Sequence, residues 1–436
     1  MSQAAVTAMS TADGRALPAA RHLDMGIALL AFWCLPLEFT LTAPIRWPAA
    51  ALIAGYLIYR QQVWLPNLRA ALFPLAFALV CLASALWSDV PATALRHGIG
   101  MGLIILLGAT LADRLGARGL AKALLLSQGV LALASLAMLI GGDPATLAAA
   151  DGFSGVFPHK NVLGQRMLLV LISAFSLLLI ERVGGVWKIM SIGAAGIALL
   201  LIAQSQSGSA ILLAVIAIVL GLIGAAIWVP AQQFRGGRAV ALFALINGAS
   251  LTLFILINGF GVDPARDVLD ALGKDETLTG RTAIWQYGWE SVRSHPWLGT
   301  GAGNFWRLDH DLAVRIAAMF GREGDQFYMH NSFLEVLVQV GLVGLFAFSL
   351  SMAWAVWVTL RASFSTPAPA FFSLLIVALL LVRSIGESFL FYPFNLGTMV
   401  FWAAVLWCSN PAVFGSAPDL RQAASTRSAN PSGVRP

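Results

Sequence analysis

Residues 208–229 read GSAILLAVIAIVLGLIGAAIWV, an unbroken apolar run that contains no charged side chain. A helix of this length crosses a hydrocarbon layer of about 30 Å, because each helical residue advances the chain by about 1.5 Å. Lipid provides no hydrogen-bond partners for the backbone, so a spanning segment must satisfy its own polar groups as a helix. The run therefore predicts a transmembrane α-helix.

Apolar runs of similar length recur on both sides of this segment. The chain has 436 residues, 58% of them hydrophobic and 11% charged, with a mean hydropathy of +0.80, whereas about 25% of a soluble domain is charged. We predict an all-α fold, a polytopic transmembrane helical bundle of about 12 spans with a large, partly helical outer loop. The predicted spans lie near 23–42, 46–59, 69–87, 97–112, 119–141, 162–181, 186–204, 208–229, 238–258, 331–358, 368–389 and 392–408.

The basic residues predict the orientation. If the N-terminus is cytoplasmic, most Lys and Arg outside the long loop fall in cytoplasmic segments, as the positive-inside rule requires. Both termini are then cytoplasmic, and the long loop is periplasmic in a Gram-negative cell. We expect a multi-pass protein of the bacterial inner membrane. Its predicted parts are a disordered tail at 1–22, nine spans within 23–258, the loop at 259–330, three spans within 331–408 and a disordered tail at 409–436.

Cysteine and charge exclude several function classes. Cys34, Cys81 and Cys408 all lie inside predicted spans, so neither a disulfide framework nor a cysteine metal site is expected. The net charge of +6 does not indicate nucleic acid, because the location of charge matters more than its sum in a membrane protein. We predict no metal and no cofactor.

The long loop is the natural place for a site, because the other connections are short. After Arg281, an apolar stripe at Trp285, Trp289 and Val292 predicts a helix that lies along the membrane surface. A glycine-rich turn follows at 295–305, and glycines let a backbone fold tightly against protein or ligand.

The end of this loop carries a base candidate. His330 precedes the tenth span, and the partial positive charge of a helix N-terminus favours a neutral imidazole. Asn331, Glu335 and Gln339 recur every four residues and predict a polar stripe that points into the bundle, and we expect Asn331 and Glu335 to bind substrate. Arg383 is the predicted partner of Glu335.

Other polar residues recur at the same predicted outer level, and we expect them to line a cationic chamber that binds substrate. They are His159, Lys160, Asn161 and Arg166 at the start of span six, the segment 204–209, and Arg383 with Glu387 in span eleven.

These segments, in this order, resemble the O-antigen ligase and polymerase superfamily, especially its exopolysaccharide-polymerase branch. The matching stretches are Ser84-Ala85-Leu86-Trp87-Ser88-Asp89 with Arg96, residues 157–164, Gly280-Arg281 with Trp285, residues 295–305, and His330-Asn331-Ser332 with Gly341 and Gly344.

The resemblance implies a membrane glycosyltransferase, metal-independent and inverting, that acts in surface polysaccharide biosynthesis. Its donor would be a polyprenyl-diphosphate-linked oligosaccharide and its acceptor a hydroxyl of a glycolipid, with the bilayer and other polysaccharide-assembly proteins as partners. It further implies that His330 is the base and that Arg281 binds the diphosphate. Many ligases carry an arginine in the turn before span eight, where this chain reads QSQSG at 204–208, so Lys160, Arg166 and Arg383 are candidate substitutes.

Alternative interpretations remain open from sequence. Polymerisation of exopolysaccharide or O-antigen units is favoured over ligation to lipid A core, and a glycolipid flippase is the rival of another class. His330 and Arg281 are also compatible with helix caps, and His159 with Lys160 is compatible with an interfacial role. Four tryptophans of the loop fit membrane anchors better than sugar platforms, namely Trp285, Trp289, Trp297 and Trp306.

Overall fold

The computed structural model describes residues 18–36, 43–142, 152–234, 236–260, 280–321, 327–365 and 370–410. Within these ranges the chain is helical and contains no strand. The longer helices are α1 (Pro18–Cys34), α2 (Ala43–Tyr59), α3 (Leu72–Ala83), α4 (Pro91–Gly141), α5 (Lys160–Phe175), α6 (Gly185–Ser205), α7 (Gly208–Ile223), α8 (Gly237–Phe260), α9 (Arg281–Ser294), α10 (Asp311–Met319), α11 (Ser332–Ser365), α12 (Ala370–Gly386) and α13 (Leu396–Ser409). Short helical turns cover Gln61–Trp64, Leu65–Asn67, Ser84–Leu86, Ser176–Ile180, Gly224–Trp228, Val229–Ala231 and Phe389–Phe391.

The predicted all-helical fold is confirmed. Among the described residues, five helices are long and apolar enough to cross a membrane, and five shorter apolar helices accompany them, so the chain is a multi-pass membrane protein. The two spans predicted near 97–112 and 119–141 correspond to the two halves of α4, which the non-helical residue Gly116 (φ 62°, ψ 179°) separates. The figure of about 12 spans, the orientation and the domain boundaries stay predictions. The tails at 1–17 and 411–436 and loop residues 261–279 and 322–326 lie outside the described residues.

Burial distinguishes central from peripheral helices. Every residue of α5 from Leu163 to Ala174 is buried, as expected of a helix surrounded by other helices. On α8 the large apolar side chains Phe243 and Phe254 are 70% and 63% exposed, which suits a lipid-facing surface. The bundle is therefore centred on α5 and α4, and α4 packs against α1, α3, α5 and α13.

The break in α11 attaches the long loop to the bundle. Gly341 adopts φ 66° and ψ −166°, so the N–H groups of residues 342 and 343 no longer reach the carbonyls four residues earlier. They donate instead to Pro296 O (2.9 Å) and Trp297 O (3.2 Å), and the freed carbonyls of Val338 and Gln339 accept from the N–H groups of residues 300 and 301 at 3.2 and 2.8 Å. The break leaves none of these four groups unpaired.

Replacing Gly341 by alanine is expected to lower the thermal unfolding temperature of the purified protein in detergent. The ψ and φ of this residue are essentially restricted to glycine, and strain of this kind costs about 1–3 kcal/mol. A Cβ would also lie 2.3 Å from the carbonyl carbon and oxygen of Trp297. Gly193→Ala is the control, since a Cβ on Gly193 meets nothing within 4 Å. An unchanged transition for Gly341→Ala would show that this junction does not hold the loop.

The glycine-rich turn packs against the segment at 84–89. Trp87 Nε1 donates to Leu298 O (2.9 Å), Ala302 N donates to Ser84 Oγ (3.0 Å), and the Asn304 amide donates to Ser88 Oγ. Residues 84–89 therefore form the surface on which the turn packs. The two sequence segments together hold the long loop against the bundle.

Candidate functional site

A cavity of about 1120 Å³ lies between the long loop and the ends of α5, α7 and α12. Typical small-molecule pockets enclose about 300–1,000 Å³, so this cavity has room for more than one sugar ring. Its polar and charged lining consists of Arg46, His159, Lys160, Asn161, Gln165, Gln206, Ser207, Arg281, Tyr328, His330, Arg383, Glu387, Ser388, Tyr392 and Asn395. Residues separated by hundreds of positions in sequence therefore share one chamber.

Arg281 is positioned by the first turn of α9. Gly280 caps this helix in the left-handed conformation (φ 84°), which glycine adopts without steric cost. The predicted helix is confirmed, and its protein-facing side is formed by Ile284, Gly288 and Ser291, next to the predicted apolar stripe. Gly288 leaves room for Met329, whose sulfur would lie 3.1 Å from a Cβ at that position. The position of this helix along the membrane surface stays a prediction.

Of the four predicted tryptophan anchors, none lines the cavity. Trp289 and Trp297 are 49% and 66% exposed. Trp285 Nε1 donates to Met329 O at 2.6 Å, and Trp306 Nε1 donates to Glu335 Oε1 at 2.6 Å. The last two are structural residues that hold the segment before α11.

His330 is held in an unusual backbone conformation. Its φ is +50°, a region that residues other than glycine seldom occupy and that is often found at functional sites. Both flanks are fixed: Met329 N donates to Glu335 Oε2 (2.8 Å) and Asn331 N donates to Ser388 Oγ (3.1 Å). The side chain of Asn331 caps α11 by accepting from the N–H groups of residues 333 and 334 at 3.0 Å each.

The polar stripe of α11 does point into the protein, since Glu335 and Gln339 are fully buried. The predicted pairing of Glu335 with Arg383 is wrong. Its carboxylate accepts from Trp306 and Met329, as above, and also from Gln339 Nε2 (2.5 Å) and Tyr392 OH (2.9 Å). All four donors to Glu335 are neutral, and the start of α11 lies beneath the loop. Glu335 therefore fixes the backbone before His330 and does not line the cavity.

Glu387 joins the two residues predicted to carry the chemistry. It follows the last residue of α12, and its Oε2 lies 3.1 Å from His330 Nδ1 while its Oε1 lies 3.4 Å from Arg281 Nη2. Burial by itself would raise the pKa of Glu387, but the hydrogen bond from His330 and the positive charges of His330, Arg383 and Arg281 lower it to about 2.

The charge of Glu387 sets the tautomer of its neighbour. A carboxylate can only accept, so Nδ1 of His330 carries the proton and donates to Glu387. The other ring nitrogen, Nε2, is then the one that can take up a proton. Because His330 and Arg281 both line the cavity, the imidazole and the guanidinium can act on the same ligand.

The cavity as a whole is cationic. Among the described residues that line it, Arg46, Lys160, Arg281 and Arg383 are permanently or normally positive, and Glu387 is the sole carboxylate. Arg383 is buried and donates from Nη2 to Gln165 Oε1 at 3.1 Å. Arginine and lysine in such an enclosure favour an anionic ligand, and arginine suits phosphate oxygens best.

The turn that lacks the expected arginine lies in the wall of this cavity. Ser207 Oγ donates to Asn161 Oδ1 (2.8 Å), and His159 caps α5 by accepting from Asn161 N at 3.2 Å. Of the three candidate substitutes, Lys160 and Arg383 line the cavity. Arg166 does not, because it is fully buried in α5 and donates to Gln128 Oε1 at 3.3 Å.

Sequence reasoning missed some of the site. Arg46 is not among the site residues predicted from the sequence, although an arginine beside Trp47 between two apolar runs is a recognisable signal. Glu387 was noticed as a charge beside Arg383, but its contacts with His330 and Arg281 span 57 and 106 residues, and no local pattern reports such separations.

Two comparisons with known proteins agree with this architecture. Residues 192–349 match a family model described as O-antigen ligase, a range that includes α9, the glycine-rich turn and His330. The chain is also 29% identical over 348 residues to the "Exopolysaccharide production protein ExoQ" of Rhizobium meliloti (strain 1021), covering 78% of this chain and 77% of that relative.

Proposed function

We propose that the chain, which is similar to a family model described as O-antigen ligase and to an exopolysaccharide production protein, is a membrane glycosyltransferase with a polyprenyl-diphosphate-linked donor. The donor oligosaccharide passes to an acceptor hydroxyl in the cavity that Arg281 and His330 share. The product extends an exopolysaccharide or O-antigen chain by one repeat unit.

One observation carries this proposal. Arg281 and His330 stand at the two ends of the described part of the long loop, yet both contact the carboxylate of Glu387 inside one cavity. Proximity of a phosphate-binding group and a base is what a transfer from a diphosphate requires. A flippase needs access from both sides of the membrane and has no need for this pair.

The proposed reaction is a single displacement. The acceptor oxygen bonds to the anomeric carbon, the bond from that carbon to the diphosphate oxygen breaks, and the electron pair leaves with the diphosphate. His330 Nε2 takes the proton of the hydroxyl, and Arg281 stabilises the charge that develops on the leaving group. Attack from the opposite side inverts the anomeric configuration. No step in this scheme requires a metal.

Polymerase and ligase activities differ in the acceptor, so deletion of the gene followed by glycolipid analysis separates them. We expect single repeat units on polyprenyl diphosphate to accumulate. Free polymer that is not attached to lipid A core would indicate a ligase, and units trapped on the cytoplasmic face would indicate a flippase. The match to a model described as O-antigen ligase is the specific reason for keeping ligation as the second candidate.

Replacing Glu387 by glutamine is expected to lower the transfer rate by up to the whole contribution of a base, about 10²- to 10⁴-fold. An amide can present its N–H to Nδ1 and so stabilise the tautomer in which Nε2 already carries the proton. Transfer assayed in proteoliposomes measures the effect. Glu290→Gln is the control, since Glu290 lies on α9 and is exposed. Unchanged transfer in Glu387→Gln would remove Glu387 from the mechanism.

The pH dependence of stability gives a second readout of Glu387. Its pKa in the folded chain is about 2, below the ordinary value of 4.5. At pH values above 4.5 its ion pairs therefore contribute their full stabilisation of the fold. That stabilisation is lost as the pH falls from 4.5 towards 2, as for any carboxyl with a depressed pKa. Glu387→Gln should therefore flatten the acid limb of the unfolding profile, a result that a residue without these contacts would not produce.

A further inference from the structure

Aromatic side chains form one wall of the cavity beside Arg281. Phe320 and Phe327 are stacked, with ring centroids 5.6 Å apart and an interplanar angle of 26°. Both rings line the cavity. Phe320 is 36% exposed, so part of its ring is available to a ligand.

Phe320 of the stacked pair lies beside Gly280, the residue that precedes the proposed phosphate-binding residue Arg281. A Cβ on Gly280 would be 2.8 Å from Phe320 Cε1, and Gly280 is the residue that caps α9 before Arg281. In a sugar diphosphate, the anomeric carbon is bonded directly to a phosphate oxygen. A phosphate held by Arg281 therefore places the first sugar ring in the immediate surroundings of Phe320 and Phe327.

The chemistry of the remaining lining indicates which part of a glycolipid the rings contact. The same cavity is lined by the amides of Asn161, Gln165 and Asn395 and the hydroxyl of Ser207. An isoprenoid chain would cover these polar groups with hydrocarbon and offer them no hydrogen bond, which is unfavourable. A sugar ring suits both parts of the lining, since it presents C–H bonds on its faces and hydroxyls around its edge.

From this arrangement we propose that the Phe320–Phe327 pair is a carbohydrate-binding platform that stacks on the first sugar of the donor. The proposal rests on the function proposed above and assigns the sugar subsite of that same cavity. The pair is a specificity-determining element, because the stack contacts ring faces while the amides that line the same cavity contact hydroxyls. The exposed tryptophans of the loop, by contrast, do not reach the cavity.

The test compares ligands with and without a sugar. Full-length protein in nanodiscs is titrated with undecaprenyl diphosphate and with undecaprenyl diphosphate bearing one glucose or one galactose. The affinity ratio of the sugar-bearing to the sugar-free lipid isolates the contribution of the ring. Phe320→Leu and Phe327→Leu are each expected to reduce this ratio about two- to tenfold, as for the loss of one aromatic contact. The affinity for undecaprenyl diphosphate itself is expected to stay the same.

Two further variants keep the result interpretable. Phe327→Tyr retains an aromatic face and should retain the ratio, and Trp289→Leu removes an exposed aromatic outside the cavity and should leave all three affinities unchanged. A ratio that is unaltered in both leucine variants overturns the platform. Equal loss for the sugar-free and sugar-bearing lipids in those variants also overturns it, because the rings would then contact the isoprenoid or support the fold.

Failure of the platform and failure of the proposed function give different results. If the wild-type protein binds none of the three lipids, the donor assignment fails, and the platform fails with it. If it binds all three equally, the platform alone fails, since a stack on a ring face contributes with either hexose. Binding that favours the sugar-bearing lipids and depends on the two phenylalanines supports both.

Discussion

Replacing His330 by alanine is expected to abolish polymer in cells while leaving the amount of membrane-inserted protein unchanged. The imidazole is the group that accepts the proton of the attacking hydroxyl, and a positioned base contributes about 10²- to 10⁴-fold to the rate. The side chain is 29% exposed, so removing it creates no buried void of the kind that unfolds proteins. Polymer measured by gel analysis of surface polysaccharide, with immunoblotting of the protein, checks this prediction.

A comparison of binding and rate shows whether His330 acts as a base. His330→Ala should retain the affinity for undecaprenyl diphosphate and lose transfer, because a base contributes in the transition state and little in the ground state. The matched control is His295→Ala, which removes an exposed histidine of the same loop. If polymer in His330→Ala is undiminished, the residue is a helix-capping element and the reaction uses another base.

Local sequence signals were sufficient for most of the fold. The apolar runs predicted nearly all the long helices, because a lipid-facing helix carries its signal in its own residues. Two details of the helices were not predictable from hydropathy. Gly116 breaks α4 through its positive φ, and Gly288 lets the side chain of Met329 approach α9 closely. Both depend on the absence of a side chain on glycine, which hydropathy does not record.

The site was predictable in its parts and not in its connections. Arg281 and His330 were identified from the order of motifs around the loop, and both line the cavity. The partner of Glu335 was predicted wrongly, because opposite charge at a similar depth suggested Arg383. In the structure the buried carboxylate is satisfied by hydrogen bonds from four neutral donors, so it has no need of an arginine partner.

Replacing Arg281 by alanine is expected to weaken the binding of undecaprenyl diphosphate and to lower transfer by about 10²- to 10³-fold, the usual effect of losing a donor to developing charge. This pattern differs from that of His330→Ala, since the guanidinium contacts the diphosphate before and during the reaction. The Michaelis constant for the donor should therefore rise in Arg281→Ala and stay constant in His330→Ala. Titration calorimetry and steady-state transfer measure the two quantities.

Arg281→Lys separates charge from geometry. Lysine keeps the positive charge but lacks the planar fork that bonds two phosphate oxygens at once, so it should restore only part of the lost affinity. The matched control is Arg293→Ala, which removes the same charge from the last turn of the same helix, where the side chain is exposed. Equal losses in Arg281→Ala and Arg293→Ala would mean that the loop attracts the donor through its overall charge.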